Sequence, residues 1–163
     1  MTSELAENKQ LYRDFIDALN KQDFAKVQRD IVHPDYHEEC VGFTPGRVSY
    51  EEAEKSLKKV LAGIPDLRAD IVELVAEGDK VFAKLNASGT QSGWLFGMPP
   101  TSQSYRVSMF DYVVIQDGRI KERVQQADNL GQFSQLLTPT LKSVGIAVGV
   151  IAGVWLTTVL LRN

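Results

Sequence analysis

The period of the apolar positions changes once along this chain, near Pro65, and divides it into a helical half and a stranded half. In the first half, Leu5, Leu11, Tyr12, Phe15, Ile16 and Leu19 recur at three- and four-residue spacing, which predicts an amphipathic helix over residues 4–20. A shorter helix over 23–31 offers Phe24, Val27 and Ile31. It is expected to stop at His33-Pro34, because a proline disfavours helical geometry in the residue before it. Residues 36–41 read as a short strand, and Thr44-Pro45-Gly46 as a turn. Ser49 followed three residues later by Glu52 is a capping box, and it opens a third helix with Ala53, Leu57, Val60, Leu61 and Ile64 on one side. Gly63 and Pro65 end that helix.

Beyond Pro65 apolar and polar residues alternate, as on a half-buried strand. One strand is expected over 67–76; Glu77-Gly78-Asp79 turns it into a second over 80–89, with Val81, Ala83, Leu85 and Ala87 on one face. The loop over 92–104 holds Trp94, Leu95, Phe96 and Met98, too many large apolar groups for a free loop, so it is expected to fold over something. Residues 107–128 form two strand-like runs joined by Asp117-Gly118, the dipeptide of a two-residue hairpin turn. Unbroken pairing from that turn sets Asp111 opposite Val124, Met109 opposite Gln126 and Val107 opposite Asp128. Both carboxylates, Asp111 and Asp128, then share a face with Val107, Met109, Val113, Val124 and Gln126, while Arg106 and Arg123 turn away. A short closing helix is expected over 129–137. Helices followed by a meander of strands imply an α+β fold: a curved antiparallel sheet with the N-terminal helices on its concave side, enclosing a pocket.

The tail departs from this pattern. Residues 144–161 are 18 uncharged residues bracketed by Lys142 and Arg162. As a helix they span about 27 Å, close to the hydrocarbon thickness of a thin bilayer. Gly145, Gly149 and Gly153 supply a small-residue face. The expected organisation is a domain over 1–138 and a single-pass C-terminal membrane anchor within 139–163. The body carries 16 basic and 21 acidic side chains, about −5, with no basic cluster, which argues against nucleic acid. A lone cysteine, Cys40, rules out an internal disulfide and fits a reducing compartment, and no basic segment followed by an apolar run opens the chain. The body is therefore expected in the cytosol.

Candidate chemistry is confined to a few side chains. Two histidines and one cysteine without paired spacing do not make a metal ligand set, and no phosphate loop or nucleophile elbow is present, so no cofactor is expected. Asp128 at a strand end is placed either to cap the following helix or to move a proton, and Asp111 is its candidate partner. His37 and Glu39 share one face of the first strand and are expected at the cavity mouth. Tyr12, Phe15, Tyr36, Trp94, Phe96, Met98 and Met109 are candidate pocket lining, suited to an apolar ligand.

Read together, Ile64-Pro65-Asp66-Leu67, Val75 to Val81, Ser88-Gly89-Thr90, Phe96 to Thr101, Asp117 to Ile120 and finally Asp128 give a chain that resembles the SnoaL-like polyketide cyclase family, of the nuclear-transport-factor-2-like superfamily. The resemblance covers residues 5–137. It implies a cone-shaped domain with a ligand cavity, a polyketide or terpenoid intermediate as ligand, and often a homodimer through the convex sheet face. It also implies Asp128 as general acid/base, in the segment opened by Glu122. Two positions depart from the family pattern: Val124 stands where Trp is frequent, and Glu39 where His is frequent. The resemblance implies a cyclase or isomerase. A binding module without catalysis is the alternative, and an epoxide-hydrolase-like or dehydratase activity is the third reading.

Overall fold

The computed structural model describes residues 2–41, 46–128 and 131. Helix α1 (Thr2–Asn20) presents the expected stripe to the core, with Tyr12, Phe15 and Ile16 buried. Helix α2 (Phe24–Lys26) starts where the Asp23 side chain accepts a bond from the Lys26 amide, and it runs on as a π-helical turn, Val27–Ile31. Strand β1 (Val32–Val41) begins before Pro34 rather than after it. The proline is tolerated because the ladder to its neighbouring strand is interrupted between Val32 and His37, where no amide is required. A two-residue strand, β2 (Val48–Ser49), leads into α3 (Tyr50–Gly63). The predicted capping box is present, with the Ser49 and Glu52 side chains each bonding the other's backbone amide.

Four long strands follow: β3 (Arg68–Glu77), β4 (Lys80–Thr90), β5 (Ser104–Gln116) and β6 (Arg119–Ala127). The sheet order is β2-β1-β6-β5-β4-β3. The sheet is mixed, which corrects the antiparallel expectation: β1 runs parallel to β6, its partner across the whole length of the chain. Parallel neighbours need a long crossover, here everything from β2 to β5, and no local pattern announces such a pairing.

The hairpin β5–β6 turns at Asp117 and Gly118, whose φ values of 51° and 71° are those the predicted turn requires. Its register differs from the unbroken one. Ile115 pairs with Ile120, but Val114 then pairs with Glu122, leaving Lys121 as the extra residue of a β-bulge. Every β6 residue beyond it changes face. Asp111 lies opposite Gln125, not Val124, and Met109 opposite Ala127, not Gln126. Arg123, expected to point away, therefore joins Asp111 on the concave face.

The core lies between α1 and that concave face, built from Tyr12, Phe15, Ile16, Val81, Ala83, Leu85, Val113, Ile115 and Ile120. A smaller cluster of Ile64, Ala87, Leu95 and Val107 seals the far end of α3 against the sheet. Among the described residues no helix is long and apolar enough to cross a membrane. The anchor expected over 144–161 lies outside the described residues, as does the closing helix over 129–137 apart from Gly131.

Candidate active site

Between the concave sheet face and the helices α1 and α3 lies a cavity of about 390 Å³. Its walls are mostly apolar: Phe15, Ile16 and Leu19 from α1, Leu57, Val60 and Leu61 from α3, and Leu85, Ala87, Val107 and Met109 from the sheet. The polar side chains of the sheet come from two neighbouring strands, Tyr36, Glu38 and Cys40 of β1 and Arg123 and Gln125 of β6. Alternation places the β1 trio on one face, and the bulge at Lys121 brings the β6 pair to the same side.

These groups form one continuous network on Asp111, which is completely buried. Asp111 Oδ2 accepts from Tyr12 Oη at 2.8 Å and from Arg123 Nε at 2.7 Å, and Oδ1 accepts from Gln125 Nε2 at 3.0 Å. Arg123 Nη1 also donates to Glu38 Oε2 at 3.3 Å, and Tyr36 Oη donates to the same oxygen at 2.6 Å. Cys40 Sγ donates to Gln125 Oε1 at 3.5 Å. The guanidinium carbon of Arg123 sits 5.4 Å from the centre of the Phe15 ring, so a cation bridges two carboxylates beneath an aromatic face. Both of these bonds to Glu38 fall on Oε2, and Glu38 itself lines the cavity.

The electrostatics follow from burial. Burial alone would lower the pKa of Arg123, but the carboxylates of Asp111 and Glu38 outweigh it and hold the guanidinium well above its ordinary value. Burial, reinforced by Glu38, drives the Tyr36 hydroxyl far up; burial and Asp111 do the same to Tyr12. Burial pushes the Cys40 thiol up to about 11. Near neutral pH both phenols and the thiol are therefore proton donors, and Arg123 is a fixed cation.

The expected site residues are distributed unevenly around this network. Asp111 is its centre, Tyr12 bonds to it, and Phe15, Tyr36, Phe96 and Met109 line the cavity. Met98 packs half-buried in the small cluster, and Trp94 is 67% exposed. His37 and Glu39 fall on the opposite face of β1 from Tyr36 and Glu38, and His37 Nε2 lies 3.7 Å from Glu122 on the outer surface. Val124 and Gln126 likewise lie on the outer face of β6. Asp128 is exposed at the end of β6, where its Oδ1 accepts from the Gly131 amide at 2.9 Å, the bonding pattern of a capping residue. Glu38, Arg123, Gln125 and Cys40 are the residues the sequence reading missed. Glu38 and Cys40 were within its reach, because they share the two-residue alternation of Tyr36; Arg123 and Gln125 were hidden behind the bulge. Among the described residues no group of His, Cys, Asp and Glu is arranged to hold a metal ion.

The family model for SnoaL-like polyketide cyclases matches residues 9–136. The chain belongs to the SnoaL-like polyketide cyclase family. Among solved structures it is similar to IdmH from Streptomyces antibioticus, proposed to be a polyketide cyclase, with 26% identity over 79% of this chain and 97% of that one and a TM-score of 0.73. AclR from Streptomyces galilaeus, a proposed hydroxylase, shares 22% identity over 81% of this chain and 96% of its own, with a TM-score of 0.72. An LEH-like epoxide hydrolase from M. tuberculosis shares 20% over 86% and 97%, with a TM-score of 0.65. At such identities the last two speak to the fold alone. No curated protein matches the chain. The SnoaL-like fold is thus common to proteins named for different reactions, and the chemistry has to be argued from the cavity.

Proposed function

We propose that this protein is a cofactor-independent cyclase or isomerase that encloses an apolar polyketide or terpenoid intermediate and moves a proton with Glu38. The observation that carries the reading is the Tyr36–Glu38–Arg123–Asp111 network against a cavity whose walls are mostly apolar. A ring closure of the aldol type begins when a carboxylate removes a proton from the carbon beside a carbonyl. Glu38, which lines the cavity, takes that proton, and Arg123 beside it supplies positive charge where the enolate oxygen develops. The enolate carbon then attacks a second carbonyl of the same ligand, and the proton on Glu38 passes to the resulting alkoxide. Asp111 acts on this site as a positioning residue, holding the guanidinium in place. A role for Asp128 in the same proton transfer is the competing assignment.

The test compares extracts of the source organism incubated with the full chain as wild type, Glu38→Gln and Asp128→Asn, read by untargeted mass spectrometry. A compound consumed by wild type and by Asp128→Asn, but about a hundredfold more slowly by Glu38→Gln, is expected. Loss confined to Asp128→Asn returns the role to that residue. A compound retained by all three proteins and altered by none favours the binding module.

One observation favours a second reading. Arg123 bridging the carboxylates of Asp111 and Glu38 is also suited to activating water against an epoxide, with Glu38 taking the water proton. Incubation in oxygen-18 water separates the two, since hydrolysis incorporates the label and an isomerising cyclisation does not. The reading further includes a cytosolic body anchored through residues 144–161, and a homodimer through the convex sheet face. The exposed Val75, Phe82 and Phe110 support the dimer, the two phenylalanine rings stacking at 5.8 Å.

A further inference from the structure

The loop between β4 and β5 leaves two large aromatic side chains exposed on a hydrogen-bonded turn. Gln91, fully buried, accepts from Thr101 Oγ1 at 2.6 Å and donates to the Pro99 carbonyl at 3.0 Å, closing the base of the loop. Leu95 and Met98 exchange backbone bonds of 3.1 and 2.8 Å around Phe96 and Gly97, both in the left-handed region at φ 48° and 82°. Leu95 is buried against Gly63, and the amides of Ser92 and Gly93 both donate to the Gly63 carbonyl, at 3.1 and 2.9 Å. A side chain at position 93 would collide with the Ala62 carbonyl, so the loop lies directly on the C-terminal end of α3. Trp94 and Phe96, on either side of the buried Leu95, are nonetheless 67% and 54% exposed. Phe96 also lines the cavity, together with Lys59 of α3.

We infer that this turn and the C-terminal half of α3 form a docking surface for an anionic lipid membrane, with the cavity mouth facing the bilayer. Three observations carry the inference. A tryptophan exposed on a hydrogen-bonded turn beside a phenylalanine has the amphipathic and apolar character that partitions into the headgroup region. From Lys55 to Gly63, α3 carries Lys55, Lys58 and Lys59 and no acid, although the whole chain has a formal net charge of −3. Lys58 is engaged by Glu54 and lies over the Phe24 ring at 5.1 Å; Lys55 and Lys59 are exposed on the helix. Finally, Ala127 at the end of β6 packs against the same small cluster as Leu95 and Met98. The last described strand therefore ends beside this turn. The surface depends on the cavity reading only for its purpose, the loading of an apolar ligand from lipid, and its test reads no product.

Trp155→Phe leaves Trp94 as the sole tryptophan of the full chain. In solution its emission should be that of a wet indole and readily quenched by acrylamide. Phosphatidylcholine vesicles with about one-third phosphatidylserine should shift the emission to the blue and shield it from acrylamide, with brominated acyl chains quenching it instead. Raising the salt to about 0.5 M should return at least half of the signal, as should adding Lys55→Gln and Lys59→Gln. A chain that pellets with the vesicles while Trp94 stays wet would be held by its tail alone, and that outcome overturns the docking surface. An indole already shielded from acrylamide without vesicles also overturns it, because another part of the chain or a second copy then covers the turn. Neither result touches the proton-transfer assignment of Glu38.

Discussion

The two borders of β5 are built differently. Toward β4 the pairing runs unbroken from Lys80–Val114 to Thr90–Ser104, whereas toward β6 it slips by one residue after Ile115–Ile120. On the regular side the inward residues of β4 are Val81, Ala83, Leu85 and Ala87, all buried and apolar. On the slipped side the inward residues beyond Ile120 are Arg123, Gln125 and, at the strand's end, Ala127. One border makes an apolar wall and the other a polar floor, although both strands face the same cavity. The difference teaches that the chemistry of this site depends on an irregularity of backbone pairing as much as on side-chain identity.

The largest expected effect comes from breaking the slipped border. Arg123→Leu strands the carboxylate of Asp111, which is 0% exposed, and should cost about 3–5 kcal/mol in urea denaturation. The double variant Asp111→Leu, Arg123→Leu should recover most of that loss, since no buried charge is then left unpaired. On the regular border, Leu85→Ala removes a fully buried side chain and should cost about 2–4 kcal/mol by the same measurement. If it costs more than Arg123→Leu, the polar floor matters less to the fold than its burial implies. Tyr12→Phe deletes one donor to Asp111 while Arg123 and Gln125 keep theirs, so a loss of about 1–2 kcal/mol is expected.

The smallest effect is a pH dependence. The unfolded Cys40 thiol ionises near its ordinary 9.0, but the folded one holds its proton up to about 11. Between those values the unfolded chain releases a proton that the folded chain retains. The contribution of Cys40 to stability is therefore intact below pH 9 and drains away as pH rises toward 11. Cys40→Ser should flatten that part of the alkaline stability profile and leave the part due to the buried tyrosines.

Local chemistry was legible in the sequence, and pairing between distant segments was not. The capping box at Ser49 and Glu52 and the Asp117-Gly118 turn announce themselves because each motif bonds within a few residues. The β1–β6 pairing joins residues more than eighty positions apart in parallel, and nothing near His37 or Glu122 in the chain signals it. Lys121 gives no clue to the bulge, since a lysine is compatible with either face of a strand. That single unseen residue misdirected Arg123, Gln125, Val124 and Gln126 together. Glu38 is a different case. Its neighbours His37 and Glu39 drew attention by their chemistry, while the alternation that set Tyr36 inward already pointed to Glu38.

The bulge also has a meaning for how such a cavity changes over generations. Facing along a strand is a matter of odd and even, and the extra residue at Lys121 inverts that parity for everything downstream. Closing the bulge with Lys121 retained would turn Glu122, Val124 and Gln126 inward in place of Arg123 and Gln125, whereas deleting Lys121 would keep Arg123 opposite Val113 and facing the cavity. The cationic floor is thus set by the register of Arg123 against Val113, not by the side chain of Lys121. A lineage carrying this hairpin can change the charge and shape of its cavity floor by a slip in the register of one strand rather than by accumulating substitutions.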